Sequence, residues 1–136
     1  MDDTALKSLL DSSRTVAIVG LSTDPEKTSS TIAEILIEAG YDVIPVHPKA
    51  TEILGRTAYA TLADIPVPVD IVDVFRPAEE AEGIARQAVE IGAKTVWLQL
   101  GISSAQAREL AEGAGLQYVE DTCIGATTQR LGNRAA

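Results

Sequence analysis

Two hydrophobic periodicities alternate along the chain. Thr15-Val16-Ala17-Ile18-Val19-Gly20 is a β-branched apolar run, the pattern of a buried strand. From Thr31 to Ala39 the spacing becomes helical, with Ile32, Ile35, Leu36 and Ala39 on one face and Gly40 at the C′ position. Asp42-Val43-Ile44-Pro45-Val46 predicts a second strand, in which Pro45 cannot donate a ladder bond and belongs late in the strand or at a bulge. A looser stretch from Pro48 to Pro68 contains Gly55, Pro66 and a predicted short turn or helix at Thr61-Leu62-Ala63-Asp64. Asp70-Ile71-Val72-Asp73-Val74-Phe75 predicts a third strand. Pro77 fits the first position of a helix that places Ala81, Ile84, Ala85, Ala88 and Val89 on one face and stops at Gly92. Lys94 to Leu100 predicts a fourth strand. Ser103 with Gln106 predicts a capping box for a helix carrying Ala107, Leu110, Ala111 and Ala114, closed by Gly115. Leu116-Gln117-Tyr118-Val119 is the fifth strand. An amphipathic helix (Ala5, Leu6, Leu9, Leu10) falls within residues 1–13, and residues 122–136 read as a C-terminal tail.

Strands alternating with helices of this length imply parallel pairing through right-handed crossovers. The strands are almost wholly apolar, as expected when helices cover both faces of a sheet. The pattern therefore predicts one α/β domain over residues 1–136: a Rossmann-like doubly wound parallel five-stranded sheet. The expected strand order is 3-2-1-4-5, with the switch point beside the first strand.

Composition narrows the functional classes. Lys and Arg total 11 against 20 Asp and Glu, a net charge of −9, which disfavours non-specific binding to nucleic acid or an anionic membrane. Aromatic residues make up 4% of the chain, few for a protein that stacks single-stranded bases. The single Cys123 closes no internal disulfide and builds no structural zinc site, which suits a reducing cytosol. No run approaches the ~20 apolar residues of a membrane span, and Met1-Asp2-Asp3-Thr4 lacks the core of a signal peptide. The expectation is a cytoplasmic protein with a small-molecule partner. A homo-oligomer or a regulatory protein partner stays open.

In such a sheet ligands sit outside the carboxyl ends of the strands. The loop after the first strand, Gly20-Leu21-Ser22-Thr23-Asp24-Pro25-Glu26-Lys27-Thr28-Ser29, feeds a helix N-terminus whose N–H groups favour an anion. Lys27, Thr28, Ser29 and Ser30 add one charge and three hydroxyls there. The loop reads as a phosphate or pyrophosphate seat, or as an ordinary capped connection. Sheets of this class that bind NAD carry an acid after the second strand. Here the chain reads His47-Pro48-Lys49, which suits a phosphorylated ribose, or else is a solvated surface loop. Arg76 is placed to pair a phosphate or to meet Glu79 or Glu80. Gln99 and Gly101 straddle the end of the fourth strand, where glycine permits close approach of a ligand or serves only a turn. Trp97, mid-strand, reads as core. Asp73, in an apolar strand, is expected at a sheet edge or paired with a basic group. No metal-ligand spacing and no nucleophile–base set is visible, so the residues favour a binding module over an enzyme.

Four segments in order, Val19-Gly20-Leu21-Ser22 with Pro25 and Ser29, Val43 to Pro48, Ile71 to Pro77, and Val96 to Ile102, resemble the small CoA-binding proteins. These are single Rossmann domains related to the N-terminal domain of the succinyl-CoA synthetase α subunit. The resemblance implies a protein that binds coenzyme A or an acyl-CoA. It implies that Gly20, Ser22, Lys27 and Ser29 hold the pyrophosphate region, beside the candidate hydroxyl of Thr28, and that His47, Pro48 and Lys49 flank the adenosine and its 3′-phosphate. It further implies that Phe75 and Arg76 line the cleft, with Gln99 and Gly101 toward the pantetheine arm. The chain departs from the family in having His47 where Asn usually precedes the proline. It also lacks the Arg, Glu and His that usually accompany the cysteine near the C-terminus. An NADP-binding redox or regulatory domain is the alternative expectation. Replacing Gly20 by Val is expected to abolish nucleotide binding at modest cost in stability.

Overall fold

The computed structural model describes residues 1–132. Helix α1 (Asp3–Ser12) is capped by Asp2, whose carboxylate accepts the Ala5 N–H at 2.8 Å, and leads into β1 (Thr15–Val19). There follow α2 (Thr28–Glu38), β2 (Asp42–Val46), a hairpin of β3 (Glu52–Ile53) and β4 (Arg56–Thr57), and a short 3₁₀ turn at Leu62–Asp64. The chain continues with β5 (Ile71–Val74), α3 (Ala78–Glu90), β6 (Thr95–Leu98), α4 (Ala105–Gly113), β7 (Gln117–Val119) and α5 (Ile124–Leu131).

The five main strands are all parallel, in the order β2-β1-β5-β6-β7. Alternate residues face opposite layers. Ile18, Ile71 and Trp97 join Leu9, Leu10, Ile32, Leu36 and Ile124 in one core, covered by α1, α2 and α5. Val72, Val96 and Leu98 join Ala81, Ala85, Ala107 and Ala111 in the other, where alanines bring α3 and α4 close to the sheet. The Rossmann-like doubly wound architecture is as expected, and Trp97 is fully buried with its indole N–H donating to the Thr122 carbonyl at 2.8 Å.

The strand order corrects the expectation. Counting the five strands along the chain, it is 2-1-3-4-5 rather than 3-2-1-4-5. The position outside β2 is taken by the chain at Tyr59, reduced to one parallel bridge with Val46. The Tyr59 N–H donates to the Pro45 carbonyl (3.0 Å) and the His47 N–H to the Tyr59 carbonyl (2.9 Å). The outer slot being filled, the next full strand, β5, pairs with the other side of β1. The switch point remains beside β1, between it and β5. Pro45 is the fourth of five residues in β2, and its carbonyl faces this outer edge, so its missing N–H interrupts no bond to β1.

Smaller boundaries also move. α2 begins at Thr28 instead of Thr31, and Pro77 is the N-cap of α3 rather than its first residue. The cap of α4 is Ser104, whose Oγ accepts the Ala107 N–H at 3.1 Å, so the expected Ser103–Gln106 box does not form. Within the stretch read as a tail, residues 124–131 form α5, which lies against α1 and α2, while residues 133–136 lie outside the described residues. No helix among the described residues is long and apolar enough to cross a membrane.

Candidate functional site

The carboxyl ends of β1, β2, β5, β6 and β7 open onto one rim. Gly20 follows β1 with φ +94°, a left-handed conformation that side chains other than glycine adopt only at a cost. A Cβ there would lie 2.7 Å from the Phe75 carbonyl oxygen. The glycine is thus required by the neighbouring backbone as well as by any ligand. The Gly20→Val exchange would strain the fold itself, contrary to the modest cost expected from sequence. The loop that follows is pinned from inside: Ser29 Oγ accepts the Ser22 N–H (3.1 Å), and Ser30 Oγ donates to the Asp24 carbonyl (2.7 Å). Lys27, at the N-cap of α2, provides no side-chain cap, leaving the first turn of the helix to face the loop with its N–H groups.

Two cavities share this rim. The first, about 560 Å³, lies over the ends of β1 and β2 and is lined by Gly20, Ser22, His47, Pro48, Thr61 and Arg76, among others. The second, about 470 Å³, lies over β5, β6 and β7 and is mostly apolar, with Ile32, Phe75, Pro77, Leu100 and Ile102 beside Thr28, Arg76, Gln99 and Cys123. Arg76 borders both. Its guanidinium donates twice to Glu80, at 3.1 and 2.6 Å. That bidentate bond, with the attraction of the two charges, holds the Glu80 carboxyl below its ordinary range. A larger cavity, about 750 Å³, opens at the amino ends of the strands, beside Arg14, Asp42, Asp70 and Lys94. It contains none of the residues selected from sequence, and sheets of this class bind their ligands at the opposite end.

The imidazole of His47 closes its own loop, Nδ1 accepting the N–H groups of Lys49 (3.1 Å) and Ala50 (2.9 Å). The Nε2 of that tautomer carries the proton, a donor in the wall of the first cavity. The rim on the other side is braced across β6 and β7. Gln99 Oε1 accepts the Ile124 N–H (3.0 Å), and Asp121, itself left-handed at φ +51°, accepts the Gly101 N–H (2.7 Å).

The structure brings Gly20, Ser22, His47, Pro48 and Arg76 around the first cavity and Thr28, Phe75, Arg76 and Gln99 around the second. Lys27, Ser29, Lys49 and Gly101 line neither: Ser29 is buried in the loop, Gly101 is held in its turn, and Lys27 and Lys49 are exposed beside the cleft. Sequence reading missed Thr61, which follows the one-bridge strand at Tyr59, because no apolar run marks that strand. Cys123, which the sequence placed near the ligand edge without counting it among the binding residues, lines the second cavity.

Asp73 is neither at an edge nor paired. It is wholly buried in β5 between Ile18 and Trp97, and neither carboxyl oxygen has a hydrogen-bond partner. Burial pushes its pKa well above the ordinary 3.8, favouring the neutral form.

Comparison with known proteins gives this rim a family. The model of the CoA binding domain matches residues 14–129. The chain belongs to the CoA binding domain family. Within it, the chain is 37% identical over 119 residues to the uncharacterized protein YneT of Bacillus subtilis, covering 88% of each. It is 32% identical over 123 residues to the ADP-forming acetate–CoA ligase I of Archaeoglobus fulgidus, covering 82% of this chain but 18% of the ligase. In structure it resembles a hypothetical protein from Pyrococcus horikoshii, with TM-score 0.93 and 35% identity over 96% of this chain and 92% of that one. The CoA binding domain thus occurs both as a small chain of this size and as one part of a much longer ligase.

Proposed function

We propose that this protein binds coenzyme A at the carboxyl rim of the sheet, as a binding module rather than a catalyst. The observation that carries the reading is the junction at Arg76. There, a cleft of mixed polar and apolar lining with no acid after β2 runs into a mostly apolar cavity. Coenzyme A has the same division, a charged nucleotide joined to an uncharged arm. In this reading the adenosine end lies against Val46, His47, Pro48 and Thr61. The diphosphate lies over Gly20 and Ser22 toward the α2 N-terminus, where free N–H groups favour an anion. The arm passes Arg76 into the second cavity, along Phe75 and Gln99. His47 Nε2 and the exposed Lys49 serve the 3′-phosphate. Family membership supports the ligand, and so does the name of the acetate–CoA ligase that shares this domain.

The test is calorimetric titration of the full chain with coenzyme A, dephospho-coenzyme A and NADP. Charge-assisted bonds to the 3′-phosphate are expected to make coenzyme A bind about tenfold tighter than its dephospho form. Equal affinity for both would remove the role given to His47 and Lys49. Tighter binding of NADP would move the protein to the redox alternative, and no heat with any of the three would end the reading.

A further inference from the structure

We infer that the second cavity is an acyl-group pocket, so that the protein prefers a short acyl thioester of coenzyme A to the free thiol. The inference rests on the coenzyme A reading above and deepens it. Its first support is the chemistry of the cavity wall. Ile32, Phe75, Leu100 and Ile102 present apolar surface, and Leu100 is 70% exposed, one of few large apolar side chains left in contact with water. A thiol at the end of the arm would leave that surface wet. An acyl chain would cover it.

The second support is a donor fixed in place at the cavity wall. Gln99 is 3% exposed, and its Oε1 is committed to the Ile124 N–H at 3.0 Å. That bond fixes the orientation of the amide and leaves Nε2 with no protein partner among the described residues but still open to solvent, in a residue that lines the cavity. A ligand that displaces this solvent has to supply an acceptor in its place. A thiol accepts a hydrogen bond weakly, whereas the carbonyl oxygen of a thioester accepts one well. The cavity therefore offers an apolar wall and one fixed donor, the complement of a carbonyl followed by a short hydrocarbon chain. Its volume, about 470 Å³, also has to take the end of the arm, so a short chain rather than a long one is the fit.

The experiment compares affinities of the full chain for coenzyme A, acetyl-CoA and butyryl-CoA, in the unchanged protein and in two variants. Affinity is expected to rise from coenzyme A to butyryl-CoA by about fourfold for each methylene that is buried. Leu100→Ser changes an exposed position and should reduce the preference for butyryl-CoA over coenzyme A, read as the ratio of the two affinities. Gln99→Glu keeps an acceptor for the Ile124 N–H but replaces the donor, and should lower affinity for both thioesters more than for the thiol. Binding of coenzyme A with no gain for either thioester would overturn the acyl pocket and leave the coenzyme A reading intact. Binding of none of the three would overturn both.

Discussion

A carboxylic acid in the middle of a hydrophobic sheet has to be accounted for at the level of the residue. Asp73 lies between Ile18 and Trp97 with both oxygens unpartnered, so its neutral form is the one that the interior tolerates. The sign of its effect on stability follows. Burial holds the carboxyl well above its ordinary 3.8 in the folded protein, whereas the unfolded chain ionises it near that value. As pH rises past the ordinary value the unfolded state loses a proton that the folded state keeps. Stability therefore falls with rising pH until the folded group ionises too. Asp73→Asn has nearly the same shape and cannot ionise. It should stabilise the protein at neutral pH, with the gain shrinking as pH falls toward about 4. Urea melts of both proteins across that range would show it, and a gain independent of pH would refute the account. The sequence displayed this aspartate in an apolar run, yet which layer it faced depended on register across three strands, and no local pattern carries that.

At the scale of elements, what was legible was whatever repeats. The five strands, the helical faces and the glycines that end α2, α3 and α4 all follow from local period and backbone freedom. The strand order was misread because the outermost strand is a single bridge at Tyr59. It was too short to leave an apolar run, so β5 was assigned its place. Helix α5 was missed for the opposite reason: its buried face includes Thr127, Thr128 and Gly125, which read as a polar tail. Gly125 explains how that helix docks. A Cβ there would lie 3.2 Å from both Cγ atoms of Ile32, so the glycine lets α5 approach α2 closely. Gly125→Leu is expected to destabilise the protein by about 1–3 kcal/mol by overpacking this contact, read as a lower urea midpoint at unchanged slope. Since Ile32 also lines the second cavity, the same variant should weaken thioester binding more than binding of coenzyme A itself. The rim residues were legible through the rule that ligands meet the carboxyl ends of such strands. Their division between two cavities was not, because it depends on how the loops after β5, β6 and β7 fold over one another.

For the whole molecule the governing quantity is charge. If coenzyme A is the ligand, a chain of net charge −9 has to hold a polyanion against its own field. The local cations decide the outcome, and Arg76, which borders both cavities, is engaged with Glu80. Both partners of that pair are half exposed, so the pair itself stabilises the fold little. Its consequence is for the ligand: a phosphate arriving at the junction must compete with the Glu80 carboxylate, and meets its repulsion. Glu80→Gln removes one negative charge at the rim and leaves the guanidinium available. Affinity for coenzyme A should rise several-fold at an ionic strength of about 0.01 M, where fields reach ~30 Å. The advantage should narrow near 0.15 M, where they reach ~8 Å, while the melting temperature without ligand stays almost unchanged. Titrations of both proteins at the two ionic strengths would decide it. Unchanged or weaker binding in the variant would mean that Arg76 serves the helix and not the ligand.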